Sequence, residues 1–445
     1  MSKEETKFEA KDDLFVSSFS YPKRKHTKVK FLENITKYNS ELYKYWSEAK
    51  TCIWCAVSFV NWDFEFVVQQ KSSRKASSEI RIPWWQHLKN LKEKNPKLDI
   101  RVLFWTNDKR IWGDENINTG SKKRDWEDHI SKYELDKYIQ FRWDESPNKH
   151  HCHHQKNHII DYTYAFIGGI VMTNASQTHD TGVILQGEAV VDVMENFILR
   201  WNHCHDDYLH KTNIQHNFCH EKLFQHTVDI SLNDVKQQWS KQHNHDSQDG
   251  ITTQIAWTVS PKLYPGVTYE NGESSIYRLY LEILGTAKST IYLESQHCGE
   301  YKILKLLKDL LSCNSQLKVF YLVPITPLKI IVECKHQSLD FALQAKANSN
   351  VKLQQPRYHD TFEMLSSLQQ FDNFLLAGLC NCDVFIEQDT SCTYEYRPIY
   401  VHSKLCVVDG KYFTIGSANM VDISFIHDHT EMNVFGFDTI NPWNC

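Results

Sequence analysis

Two segments of the chain repeat one spacing of reactive side chains. In the first, His154-Gln-Lys156 is followed after four residues by Asp161 and after six more by Gly168-Gly169. In the second, His402-Ser-Lys404 is followed at the same offsets by Asp409 and Gly416-Ser417. A single HxKxxxxD match arises by chance in roughly one chain in ten of this kind. Two matches, each continued by a small-residue pair at the same distance, are far less often accidental. On an extended strand, residues i and i+2 share a face, so each His projects beside its Lys. If the two segments meet, two lysines can neutralise the oxygens of a phosphodiester and its more highly charged transition state. One imidazole can attack phosphorus while the other protonates the leaving oxygen. That chemistry needs no metal, because the lysines supply the positive charge.

Zinc is the competing use of the first segment. His150 to Asp161 reads HHCHHQKNHIID, with five histidines and a cysteine. Contiguous ligands wrap one tetrahedral ion poorly, and no second ligand pair stands at finger-like spacing, so no metal is expected. His150, His151 and His153 are expected as solvated or rim residues, a phosphate contact being the sharper alternative for His153. His158 is expected as a packed neighbour. Cys52-Ile-Trp-Cys55 has CxxC spacing but lies in CIWCAVSFV, which reads as a buried strand. Trp84-Trp85 suits a core position better than a lipid interface. The basic run Ser121-Lys-Lys-Arg124 suits a solvated loop better than a headgroup contact.

The segments flanking the motifs also match. TCIWCAVSF, IPWWQHLKNLKEK and LDIRVLFW read as strand, amphipathic helix and strand, and so do STIYLESQ, YKILKLLKDLLS and SQLKVFYLVP. The implied fold is α/β with an approximate internal duplication. Two similar lobes, each a mixed β-sheet flanked by helices, would be related by a pseudo-twofold, with one site at their interface. The boundaries are a polar arm at 1–45, a first lobe at 46–205, a polar linker or insert at 206–250, and a second lobe at 251–445. A chain of 445 residues with 41% hydrophobic and 13% aromatic residues has the material for substantial cores. A net charge of −5 argues against a nucleic-acid-coating surface. The start, MSKEETKFEAKDD, lacks an apolar export signal, and no stretch approaches the roughly 18 apolar residues of a membrane span. The 13 cysteines are therefore expected as reduced thiols of a cytoplasmic protein.

HHQKNHIIDYTYAFIGGI and YVHSKLCVVDGKYFTIGSANM resemble the two HKD motifs of the phospholipase D superfamily. HDTGVILQGEAVVDVMENFILRWNH is similar to the segment after the first motif in phospholipases D, a strand and then a helix ending in RWN. IYLESQ resembles the family's IYIENQ strand, and SANMVDISF with HTEMNVFGF the segment after its second motif. The resemblance covers roughly residues 48–205 and 250–438. It implies that His154 is the nucleophile forming a phosphohistidine and His402 the general acid that later activates water. Lys156 and Lys404 would clamp the phosphate, with Asn419 a further donor and Ser417 and Gly169 also at the substrate. Asp180 and Glu431 would hold the imidazoles in the productive tautomer, as an Asp does in a serine-protease triad. Asp161 and Asp409 would complete the motifs as loop supports.

Two departures stand out. Val171 occupies a position where relatives place Asp or Asn, which implies a missing donor. The chain ends at NPWNC, about fourteen residues after Glu431, where relatives continue, so a truncated or differently completed second lobe is expected. The function implied is hydrolysis of a phosphatidyl headgroup, choline or ethanolamine, to phosphatidic acid. Water or a primary alcohol would be the acceptor, with no cofactor, by a monomer in peripheral contact with a membrane. The alternatives are a nucleic-acid phosphodiesterase using the same histidines and an inactive lipid-binding scaffold. The acidic balance speaks against the first, and the intact His, Lys and carboxylates against the second.

Overall fold

Apolar periodicity accounts for the main elements. In the helix Ile35–Glu48, buried Tyr38, Leu42 and Trp46 recur every four residues on one face, and the Asn34 side chain accepts the Lys37 N–H at 2.8 Å to start it. In Tyr301–Cys313 the buried face is Ile303, Leu304, Leu307 and Leu311, and Glu300 caps the helix by accepting the Ile303 N–H at 3.0 Å. Cys52–Val57 is buried at every position, the mark of a strand covered on both faces. Its two cysteines are free thiols whose pKa is pushed up by burial.

The computed structural model describes residues 21–58, 60–70, 78–106, 123–145, 151–173, 178–211, 227–243, 249–261, 263–264, 272–297, 299–325, 356–386, 392–426 and 429–437. Among these, 16 strands join one mixed sheet. The strands of its main row are β1 (Lys23–Leu32), β2 (Cys52–Val57), β3 (Asp99–Thr106), β4 (Gln140–Glu145), β5 (Lys156–Ile160), β6 (Tyr164–Gly168), β7 (Gly182–Gln186), β8 (Ile251–Val259), β9 (Thr290–Glu294), β10 (Lys318–Leu322), β11 (Phe374–Ala377), β12 (Leu405–Val408), β13 (Tyr412–Gly416) and β14 (His429–Phe437). From one edge the order is β4-β3-β2-β5-β6-β7-β1, and from the other β11-β10-β9-β12-β13-β14-β8, with β1 and β8 paired antiparallel at the middle. In both halves the two outermost pairings are parallel and the rest antiparallel. A mixed α/β fold built on one large sheet is therefore observed.

Residues 1–45 are not simply an arm. From Lys23 the chain forms β1, a central strand, and then the helix Ile35–Glu48. The strand escaped notice because only Thr27 and Leu32 of its ten residues are fully buried, too few for an apolar alternation. The expected linker at 206–250 is also partly ordered. A long helix, Ala189–Lys211, runs into it, and Leu232–His243 forms another. Asn202 exchanges two 3.0 Å hydrogen bonds with the backbone of Ile230, and Trp201 Nε1 donates to the Val228 carbonyl at 3.0 Å.

One core cluster draws Trp54, Ile167 and Phe197 from the first half together with Trp257, Ile415 and Val434 from the second, so the middle of the molecule is packed across the seam. Trp84 and Trp85 are core residues, 2% and 8% exposed. His150, Ser121-Lys122 and the terminal NPWNC lie outside the described residues. Among the described residues, no helix is long and apolar enough to cross a membrane.

Candidate active site

Backbone pairing across the seam delivers both motif histidines. Cys152–His153 runs parallel to His429–Thr430, and Thr178–His179 runs parallel to Tyr400–Val401. The His154 N–H donates to the Thr430 carbonyl at 2.9 Å, and the His402 N–H to the His179 carbonyl at 2.8 Å. Each histidine is thereby set beside the carboxylate that follows its backbone partner. His154 Nδ1 lies 2.9 and 3.0 Å from the two oxygens of Glu431, and His402 Nδ1 lies 2.6 Å from Asp180 Oδ2. The pairs cross. The first motif's imidazole is held by the carboxylate beyond the second motif, and the second motif's by the carboxylate beyond the first.

Burial governs the charges here. It lowers His154 to about 3 and His402 to about 4, against the opposing pull of Glu431 and Asp180. Burial pushes both carboxyls up, but the imidazoles beside them hold Glu431 and Asp180 below the usual range. The stable state at neutral pH is therefore a carboxylate accepting from a neutral imidazole. A carboxylate only accepts, so Nδ1 carries the proton and the lone pair sits on Nε2.

Lys156 Nζ donates to the His154 carbonyl at 2.6 Å, and Lys404 Nζ donates to the His402 carbonyl and, at 3.2 Å, to Gln296 Oε1. Both lysines are buried, which lowers them to about 8 and about 7. The Lys156 charge also depresses His402 and Lys404. Together with the 2.6 Å contact between Thr181 Oγ1 and Ser403 Oγ, this puts the two motifs in one electrostatic cluster.

The remaining motif residues fall elsewhere. Asp161 accepts the Lys50, Thr51 and Cys52 N–H groups, the shortest at 2.6 Å, and Asp409 those of Lys288, Ser289 and Thr290 at 2.8 Å. Both tie loops at the far ends of their strands, each from a left-handed backbone with φ of 54°. Gly169 and Ser417, expected at the substrate, lie against the two carboxylates. A Cβ at Gly169 would come within 2.4 Å of Asp180 Oδ1, and the Ser417 hydroxyl donates to Glu431 Oε2 at 2.6 Å. Asn419 is 5% exposed, with no hydrogen-bond partner for Oδ1 among the described residues.

His151 and His153 are not rim residues; they are 1% and 0% exposed. His153 sits between Asp144 Oδ1, 2.8 Å from Nε2, and Thr430 Oγ1, 2.9 Å from Nδ1. Arg200 completes that layer. Its Nε donates to Asp144 Oδ2 at 2.8 Å, and its NH1 donates at 2.9 Å to Gln155, the residue between the motif His and Lys. His158 packs edge-on against Tyr38 and Phe166.

Sequence reasoning missed several of these residues. Gln296 was visible inside IYLESQ, but only as part of a strand. Glu294, bonded to His179 Nε2 at 2.9 Å, lies in the same segment, and His429, whose ring centroid is 5.6 Å from that of His154, opens HTEMNVFGF; neither was singled out as a site residue.

No family model matches the chain. Phospholipase D A of Dictyostelium discoideum is 24% identical over 259 residues, which is 56% of this chain and 17% of that protein; the chain thus spans about a sixth of its curated relative's length. The solved phosphatidylserine synthase of Haemophilus influenzae Rd KW20 overlays 93% of this chain and 83% of its own, with a TM-score of 0.52 and 14% identity. NucT from Helicobacter pylori overlays 42% of this chain and 87% of its own, with 14% identity and a TM-score of only 0.25, too low to bear on the assignment. The duplicated motif and the sequence relative support the resemblance to the phospholipase D superfamily, and the overlay shows a fold shared with the phosphatidylserine synthase.

Proposed function

We propose that the chain is a phospholipase D-type phosphodiesterase, cleaving a glycerophospholipid headgroup, choline or ethanolamine, to leave phosphatidic acid. The observation that carries the reading is the crossed pair of imidazole–carboxylate contacts flanked by two buried lysines. The mirrored strand order supports two lobes related by a pseudo-twofold, the first taking in β1 from outside the expected 46–205 as the counterpart of β8 in 251–445.

In this reading His154 Nε2 attacks phosphorus, and His402, protonated as the anionic substrate offsets its burial, gives its proton to the leaving oxygen. A phosphohistidine results. His402, now neutral, takes a proton from water, or from a primary alcohol, as that oxygen attacks the phosphohistidine and returns His154. Lys156 and Lys404 hold the non-bridging oxygens, where positive charge in a water-poor site stabilises the transition state most. Asn419 offers a further polar contact. No metal or cofactor is assigned a step.

The test is incubation of the chain with mixed phospholipid vesicles and a primary alcohol. A phosphatidyl-alcohol product is expected. Release of nucleotides from nucleic acid with no action on the vesicles would replace this reading with the nucleic-acid one. Inertness towards both would favour a scaffold.

A further inference from the structure

His429 is a buried imidazole that the phosphodiesterase reading does not use. It is 7% exposed, on β14 two residues before Glu431. Its Nδ1 reaches only 3.5 Å contacts, to Glu431 Oε1 and to Ser424 Oγ, and its Nε2 has no hydrogen-bond partner among the described residues. A buried imidazole whose Nδ1 holds only 3.5 Å contacts beside a carboxylate can exchange them for a metal ion at little cost.

One donor atom from each of His154, His429 and Glu431 lies within 4.8 Å of the others. Zinc takes His nitrogen at about 2.0–2.1 Å and carboxylate oxygen at about 2.0–2.2 Å, which sets donor separations in a tetrahedron at roughly 3.3–3.5 Å. His154 Nδ1 to Glu431 Oε1 is 2.9 Å, and His429 Nδ1 to the same oxygen is 3.5 Å. Two of the three separations are thus within about 0.5 Å of the tetrahedral value and the third is at most 4.8 Å, which places the three donors as a cup with water as fourth ligand. Imidazole and carboxylate together suit zinc-like ions, whereas magnesium and calcium prefer all-oxygen sites.

We propose that His154, His429 and Glu431 form an inhibitory site for a divalent transition-metal ion, zinc above all. Its effect on turnover rests on the phosphodiesterase reading; the binding itself does not. The ion replaces the Nδ1 proton of His154, and that proton moves to Nε2, so the ring stays neutral with no net proton release from it. The lone pair that attacks phosphorus is then gone. Glu431, already ionised, supplies an oxygen in place of its hydrogen bond.

Two arms keep binding and activity separate. In the first, zinc chloride is titrated into the full chain by calorimetry in phosphate-free buffer, and X-ray absorption reads the ligands. One ion per chain in a nitrogen and oxygen sphere containing imidazole is expected, with affinity at least tenfold weaker in His429→Ala and His429→Asn. Thermal melts identify any variant that fails to fold, and His154→Ala stands as the second deletion of a donor. A sulfur sphere, which the exposed Cys313, Cys380 and Cys382 would give, unchanged affinity in every folded donor variant, or no binding at micromolar zinc overturns the proposal. In the second arm, zinc inhibits hydrolysis, a chelator restores it and magnesium has no effect. His429→Ala needs at least tenfold more zinc relative to its own uninhibited rate. Zinc bound at the site with turnover unaffected overturns the inhibition. A chain with no turnover under any condition sinks the phosphodiesterase reading while the first arm still decides the site.

Discussion

Two imidazoles of one chain, each bound to a carboxylate, differ in what their loss does. In the proposed mechanism His154→Ala leaves no nucleophile, so a good leaving group such as p-nitrophenol is expected to recover nothing. In His402→Ala the leaving oxygen departs unprotonated, at a cost of about 10²–10⁴ in rate, and the same substrate recovers part of it. Steady-state rates of the two variants on choline and p-nitrophenyl esters check this; equal rescue of both would undo the division of roles. The lysines give a second expectation. Both are lowered by burial, to about 8 and about 7, and in the proposed clamp an anionic substrate would bind their ammonium forms. A group with a depressed lysine pKa is charged below that value and loses its charge as pH rises through it. Hence kcat/KM, which reports the free enzyme, falls on an alkaline limb between about pH 7 and 8. A profile flat from pH 6.5 to 9 contradicts the clamp. The two histidines and two lysines were legible because reactive types recur at one spacing. Glu431 and Asp180 were legible only through resemblance, and their crossed pairing not at all, since it joins side chains 277 and 222 positions apart.

The elements behind the first motif carry a buried ion pair that no local pattern announces. Arg200, on the helix Ala189–Lys211, is 1% exposed and Asp144, on β4, 2%. Breaking such a pair leaves an uncompensated buried charge and costs about 3–5 kcal/mol, while replacing both partners by apolar residues of similar volume costs far less. Asp144→Asn is expected to lower stability by that amount in a denaturant titration, and Asp144→Leu combined with Arg200→Met to restore much of it. A single variant within about 0.5 kcal/mol of wild type would mean that the pair contributes nothing. At this scale apolar strands and amphipathic helices were readily legible, as in CIWCAVSFV and YKILKLLKDLLS. β1 was not legible, because KRKHTKVKFL buries Thr27 and Leu32 alone among ten residues and gains its place from strands on either side.

For the whole molecule, the account requires both halves. Each imidazole takes its carboxylate from the other half, and a core cluster spans the seam, so neither half contains a finished site. The duplication was legible from matched strand–helix–strand flanks; the single continuous sheet was not, because β1 and β8, which join the halves, lie outside both motifs. The central claim is a covalent step on His154 inside this shared site. Its most direct test is a rapid acid-free quench of the wild-type chain turning over phosphatidylcholine, followed by peptide mass spectrometry. The account predicts a phosphatidyl group on the peptide carrying His154, absent from His154→Ala and accumulating when His402 is replaced and a p-nitrophenyl ester supplied. A phosphatidyl group on His402, or turnover with no modified histidine at any quench time, would contradict it.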